Sequence, residues 1–439
     1  MLFKDITIID EYMKAREHMY VGVQNGVISY LDDVPPEDEG AFGRIYSGYH
    51  KLLTPAFYNA HSHCAMNLMR GYGENLPLQE WLQTKTFPFE AHLTLDDVYL
   101  GTMAAVAEML RFGIVATTDM YMHVESISRA FYESGIKANI GRGVTCADPE
   151  LDYKDTPQYA ATIKLKKQFA HTECGRLKVD FSIHAEYTNT DKMIKGVAAA
   201  AKENNGRIHV HVSETAGEVE GCKERHRGRT PVQYLEDCGV FDVPAVAAHC
   251  VHLTDRDISI LKRNHVTVAS CPKSNLKLAS GFCPVARLRA AGVRIALGTD
   301  SVASNNNLNM LEEAKFYALI HKGNTGDPTL ITPGQAFYSA TRAGALAQGR
   351  EDCGLIKKGY RADLIVFDTY KPYMYPVYNL LTNLIYSGCG TDIVLTMVDG
   401  KVLYEDGKFP EMDMKALVKK SNEACRRILL ELIKEREGD

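Results

Sequence analysis

From residue 52 to residue 300, short apolar runs alternate with longer stretches whose apolar residues recur at helical spacing. The short runs "LLTPAFYNAHSH", "IVATTDMY", "KANIGRGVTC", "KVDFSIHAEY", "RIHVHVSE", "VPAVAAHCVHL", "VTVASCP" and "VRIALGTD" predict eight strands. Between them, "LDDVYLGTMAAVAEMLRFG" and "TDKMIKGVAAAAKENNG" show helical periodicity and then a stop glycine. Eight strand–helix units predict a (β/α)8 barrel, an α/β fold. The two ends of the chain differ. "ITIID" and "YVGVQNGVISYL" near the start, and "ADLIVFD" and "DIVLTMVDGKVLYEDGKF" near the end, are β-rich. Asn25-Gly26 and Asp399-Gly400 mark tight turns inside them. These segments are expected to pair in a small β-sandwich built from both termini: residues 1–54 and 356–439 around a barrel at 55–355. The last segment, "MDMKALVKKSNEACRRILLELIKE", predicts an amphipathic helix whose apolar face packs on the body.

Composition changes this picture little. The formal net charge is −5, so nothing steers the chain toward nucleic acid or an anionic membrane. The eleven cysteines include no C-x-x-C pair, which argues against a disulfide framework or zinc ribbon and for reduced thiols in the cytoplasm. "MLFKDITIID" lacks the basic and apolar regions of a signal peptide, and no apolar run is long enough to span a membrane. The expected partners are a small-molecule substrate and further copies of the same chain.

Candidate chemistry sits at the strand ends, where barrel enzymes build their sites. His61 and His63, at alternate positions, share a face if their segment ends a strand. His184, His211 and His249 fall on strands four, five and six, and Asp300 ends strand eight. Core packing does not gather so many hydrogen-bonding groups at one end, since each buried one needs a partner. Three neutral imidazoles and a carboxylate suit Zn²⁺ and, less selectively, Fe²⁺. The expected ligands are therefore His61, His63, His211 and Asp300, around one divalent metal and a water whose pKa falls toward ~7. Glu214, three residues beyond His211, is placed to overhang the metal as general acid/base, and His249 to orient the water. His252 is expected in the following loop. His184 stands where binuclear barrel hydrolases carry a modified lysine, which favours a single metal. "HAE" at 184–186 lacks the P-C-x-x-C that would complete a zinc-deaminase signature of the other fold. No H-E-x-x-H, G-x-S-x-G, Walker A or G-x-G-x-x-G occurs.

With these residues in view, the chain resembles the amidohydrolase superfamily, and within it the 5′-methylthioadenosine/S-adenosylhomocysteine deaminase group and its chlorohydrolase-like relatives. The matching stretches include "TPAFYNAHSHCAMNLMRGYGENLPLQEWL", "TKTFPFEAHLT", "HVHVSET", "AAHCVHLTDRD", "CPKSNLKLASGFCPV", "LGTDSVASNNNLNMLEE" and "IKKGYRADLIVFD". The resemblance implies a distorted barrel, a composite β-sandwich and metal-dependent hydrolytic deamination at C6 of an adenine nucleoside. It further implies that Glu214 protonates the adjacent ring nitrogen and that Asp300 moves the water's proton to departing ammonia while His249 holds the nucleophile. By the same resemblance Glu90 meets the ribose hydroxyls, Arg142 a homocysteine carboxylate and His184 the purine, with Trp81 as an aromatic wall. Ser304, in the turn after Asp300, joins these substrate-binding candidates.

One position departs from the pattern. "HAEYT" carries Glu186 where this group commonly has proline, and that carboxylate is expected near the ring, where it could accept a second amino group. It motivates an alternative: deamination of a free guanine-, pterin-, cytosine- or triazine-like ring. A non-catalytic scaffold on the same fold is a further alternative, opposed by the complete ligand set together with Glu214 and His249.

Overall fold

Pro55 and Ala56 divide the first predicted strand in two. Proline has no N–H to continue a ladder; the Ala56 N–H turns to the carbonyl of Asp363, while the Phe57 N–H turns to that of Gly113. The segment before the break is β5 (Lys51–Pro55) and the segment after it β6 (Phe57–Ser62), each in a different sheet. This is a correction to the single strand expected there. The structure is a computed structural model that describes residues 1–170 and 175–438.

Strand β6 opens a parallel barrel sheet that continues through β7 (Ile114–Met120), β8 (Lys137–Val144), β9 (Leu177–Ile183), β10 (Ile208–Val212), β11 (Ala245–His249), β12 (Thr267–Ser270) and β13 (Arg294–Leu297). These strands lie in sequence order, as the alternating pattern requires. No backbone ladder joins β13 to β6. Side chains and loop backbone close the ring instead: Asn59 binds Thr299 through both its amide atoms, and the Asp300 N–H donates to the carbonyl of His61 at 3.0 Å. Gly298 permits this approach, because a Cβ there would lie 2.8 Å from that of His61. The barrel is accordingly distorted at its seam.

The other sheet joins the two ends of the chain. Its order is β16 (Lys401–Glu405), β15 (Ile393–Val398), β14 (Leu364–Asp368), β5, β1 (Leu2–Ile9), β2 (Ala15–Gln24) and β3 (Val27–Asp32), with the short β4 (Ile45–Ser47) parallel to β1. The two turn pairs behave as their sequence requires, with φ of 51° and 78° at Asn25-Gly26 and 45° and 78° at Asp399-Gly400. Phe3, Val21 and Ile28 from one arm and Leu364, Leu395 and Met397 from the other bury into one shared core. The terminal helix Met414–Gly438 lays Leu417, Ala424, Ile428 and Leu432 on the body, and each large side chain so covered contributes about 1.5–3 kcal/mol. Its Val418, Leu430 and Ile433 stay exposed. Among the described residues no helix is long and apolar enough to cross a membrane, and all ten cysteines are free thiols.

One buried ion pair fastens the barrel to the terminal sheet. Lys137, the first residue of β8, is 2% exposed and pairs with Asp363 and, at 2.8 Å, with Asp399. Tyr58 also donates to Asp363, and the Asp399 N–H completes that carboxylate at 2.8 Å. Removing the ammonium leaves a fully buried carboxylate without its counter-charge. Lys137→Met should lower the unfolding free energy by about 3–5 kcal/mol in a urea titration. An unchanged midpoint would show that the pair does not hold the two sheets together.

Candidate active site

Because all eight barrel strands run the same way, their C-terminal ends open on one mouth. His61 is next to last in β6 and His63 follows its end; His211 is next to last in β10; His249 closes β11; His184 follows β9. Asp300 comes three residues after β13, with φ of 58°. His249 also has positive φ, 68°, so the backbone is strained at two of the strand ends that carry these groups.

The ring nitrogens are arranged by their outer partners. Nδ1 of His63 donates to the carbonyl of Met120 at 2.5 Å, and Nδ1 of His211 to that of His184 at 2.6 Å. A neutral ring so fixed has a bare lone pair on Nε2. Those two Nε2 atoms stand 3.2 Å apart, and Oδ1 of Asp300 lies 3.4 Å from Nε2 of both His63 and His61. Nδ1 of His61 lies 2.8 Å from Nε2 of His209, while its Nε2 is buried without a hydrogen-bond partner. Burial holds the pKa of His61 down at about 3 and that of His211 well below the usual imidazole range. Burial thus favours the neutral form of both rings. One nitrogen each from His61, His63 and His211 falls within 4.8 Å of the others. Side chains converging in this way fit a cation. Oδ2 of Asp300 accepts from Ser274 at 2.6 Å and from Ser304 at 2.9 Å, which leaves Oδ1 for the centre.

Glu214 and His249 stand beside this cluster. Nδ1 of His249 donates to Oδ1 of Asn275 at 2.9 Å, so its Nε2 is free, 3.9 Å from Oε2 of Glu214. Burial raises the pKa of Glu214, favouring a carboxyl that keeps its proton. Burial and then the neighbouring Glu214 push Glu218 up to about 7.

A cavity of about 590 Å³ opens over these groups, lined among others by His63, His211, Glu214, His249 and Asp300. Trp81, Glu90, Arg142, His184 and Ser304 line it too. Trp81 and Glu90 come from one segment in which a short helix, Leu78–Trp81, passes through a π-turn at Leu82–Thr86 into Phe87–Ala91. Such irregular turns recur at functional sites. Tyr121 donates to Oε1 of Glu90 at 2.6 Å, and Nε of Arg142 is buried without a partner. His252 lies in the loop after β11, its Nε2 2.8 Å from the carbonyl of Ser280.

Glu186 is the exception among the substrate-binding candidates. It does not line the cavity; it is 2% exposed and bound by Arg225, at 3.1 and 2.7 Å, and by His226 at 2.7 Å. Two residues after His184 the chain has entered a short 3-10 turn, Glu186–Thr188, which turns this carboxylate toward the helix Ala216–Arg225. The expectation that it faces the ring is corrected.

Sequence reasoning also passed over several supporting groups. His209 shares its face with His211 by the period of two and could have been read from "HVHV". Ser274 and Asn275 lie in "CPKSNLKL", where neither residue type nor spacing singles them out, although Cys271 at its start packs against His61 and His249. Glu218, whose carboxylate accepts the N–H groups of Ser213 and Glu214 at 2.7 Å each, reads in sequence as an ordinary first-turn glutamate.

The chain and its fold have counterparts among known proteins. Residues 52–403 match the model of the amidohydrolase family. The 5-methylthioadenosine/S-adenosylhomocysteine deaminase of Dictyoglomus thermophilum is 40% identical over 379 residues, covering 86% of this chain and 88% of the relative. The enzyme of the same name from Thermoanaerobacter pseudethanolicus is 36% identical over 422 residues, 95% of this chain and 96% of the relative. Among solved structures, an adenosine deaminase from Xanthomonas campestris with bound zinc superposes with a TM-score of 0.90 at 30% identity, covering 98% of both chains. From the strand order, the histidine cluster and these likenesses together, the chain belongs to the amidohydrolase family.

Proposed function

We propose that this protein is a metal-dependent hydrolytic deaminase of an adenine nucleoside: 5′-methylthioadenosine, S-adenosylhomocysteine or adenosine. The observation that carries the reading is the convergence of His61, His63, His211 and Asp300 beside a buried glutamate at the base of one cavity. The names of the similar enzymes support the substrate class, and the zinc of the similar adenosine deaminase supports zinc as the metal. His61, His63, His211 and Asp300 would hold a divalent cation, which would lower the pKa of a water there toward ~7.

The chain's own residues do the rest. Glu214 donates its proton to the ring nitrogen beside the aminated carbon, which makes that carbon electrophilic. His249, fixed by Asn275, hydrogen-bonds the attacking water through Nε2. Asp300 takes one proton from the water and passes it to the leaving amine, and the second returns to Glu214 as the C=O bond forms and the C–N bond breaks, so that water and the aminated ring become the oxo ring and ammonia. Trp81 covers the ring, and His184 meets its edge. Glu90 keeps Oε2 for the ribose hydroxyls, since Tyr121 occupies Oε1. The buried, unpartnered Nε of Arg142 suits an anionic group at the far end of the substrate. The free-ring alternative rested on a carboxylate at Glu186 facing the site, and that carboxylate is engaged by Arg225 and His226. We also propose a cytoplasmic homo-oligomer, supported by the free thiols and by the exposed Val418, Leu430 and Ile433 of the terminal helix.

Ammonia release from adenosine, 5′-methylthioadenosine, S-adenosylhomocysteine, guanine and cytosine tests the substrate class directly. Turnover of the nucleosides is expected; turnover of free bases alone would sink the reading. Two substitutions separate the roles. Glu214→Gln should retain metal and lose turnover by about 10²–10⁴-fold, whereas His211→Ala should lose the metal itself by elemental analysis. Near-normal activity in the first variant, or full metal content in the second, would remove that residue from its assigned role.

A further inference from the structure

Strand β10 hands over to the loop bearing Glu214 through Ser213, whose φ is 52°, a left-handed conformation that costs energy for any residue with a side chain. Something must hold it there. The carbonyl of Ser213 accepts the N–H groups of Val251 at 3.0 Å and His252 at 2.9 Å, which fixes one side of the peptide. On the other side both free N–H groups go to a single carboxylate. Ser213 donates to Oε1 of Glu218 and Glu214 to Oε2, each at 2.7 Å.

Glu218 is 8% exposed and lines no part of the cavity. It is the third residue of the helix Ala216–Arg225, and Thr215 caps that helix by accepting the Glu218 N–H at 3.1 Å. The far end of the same helix is held as well, because Arg225 and His226 grip Glu186, two residues beyond His184. His184 in turn supplies the carbonyl that fixes His211. One helix thereby ties the loop that orients a metal ligand to the loop that carries the proton donor.

Resting on the reading of Glu214 as the proton donor, we propose that Glu218 is a positioning residue for the deamination: its two oxygens clamp the Ser213 and Glu214 N–H groups and so hold the Glu214 carboxyl beside His249. The choice of glutamate follows from the bonding. Both oxygens must accept, and the two N–H bonds favour the ionised carboxylate against the burial that raises its pKa. A glutamine of the same shape would turn an NH₂ against one of the two N–H donors and lose that bond.

The test compares Glu218→Gln, Glu214→Gln and the double variant on 5′-methylthioadenosine, with metal content measured for each. Glu218→Gln should lower kcat by about 10- to 100-fold, the range for one charge-assisted hydrogen bond, with KM and metal content unchanged. In the Glu214→Gln background the same change should cost less than about threefold, because residues that act as a unit are not additive. Wild-type kcat in Glu218→Gln would overturn the proposal. So would a loss that multiplies in full in the double variant, or one that follows metal loss or a raised KM, since each of these reports general damage to the fold. Should Glu218→Gln not fold, Glu218→Asp carries the same test, with a smaller loss of kcat at unchanged KM expected and no loss overturning it. If Glu214→Gln alone turns over normally, the proton-donor reading fails, visibly and before Glu218 is changed, and the positioning role falls with it.

Discussion

Lone pairs that face one another inside a protein need a positive charge between them. Nε2 of His63 and Nε2 of His211 are 3.2 Å apart, Oδ1 of Asp300 is 3.4 Å from two of the imidazoles, and Nε2 of His61 has no partner. Each buried polar atom left unpaired costs about 1–3 kcal/mol, so four converging acceptors make an expensive arrangement unless a cation shares them. The surrounding structure is organised to keep it. Met120 and His184 give carbonyls to the outer nitrogens, Ser274 and Ser304 occupy the outer oxygen of Asp300, and His209 backs His61. The seam of the barrel serves the same end, since the Asp300 N–H closes the ring on the carbonyl of His61.

This explains why the centre was legible in the sequence. A metal site needs particular residue types at strand ends, and the period of two puts His61 and His63 on one side of their strand. The same alternation of short apolar runs and helical stretches gives the eight barrel strands in order. The turn pairs Asn25-Gly26 and Asp399-Gly400 locate two hairpins of the terminal sheet. What could not be read depends on contacts between residues far apart in the chain. The break at Ala56 is decided by where two N–H groups find carbonyls, at Asp363 and Gly113. The attachment of the barrel to the terminal sheet rests on Lys137 meeting Asp363 and Asp399; nothing local marks the first two, and Asp399 reads only as a turn residue.

Glu186 shows the same limit most clearly. A carboxylate two residues from His184 reads, in sequence, as a group facing the substrate. In the fold its direction is settled by Arg225 and His226, about forty positions later in the chain. Its place is structural: it anchors one end of the helix whose other end carries Glu218. Cavity-lining and structural carboxylates thus sit side by side around this centre, and only the partner of each distinguishes them.

In the proposed reading, hydrolysis at an adenine ring requires one metal, held by His61, His63, His211 and Asp300. Stripping the protein with a chelator and titrating zinc back, while following ammonia release from 5′-methylthioadenosine, tests it most directly. Activity should vanish on stripping and return linearly, with a break at one equivalent per chain. Undiminished turnover in the stripped protein, or a break at two equivalents, would rule out a single essential metal at this centre.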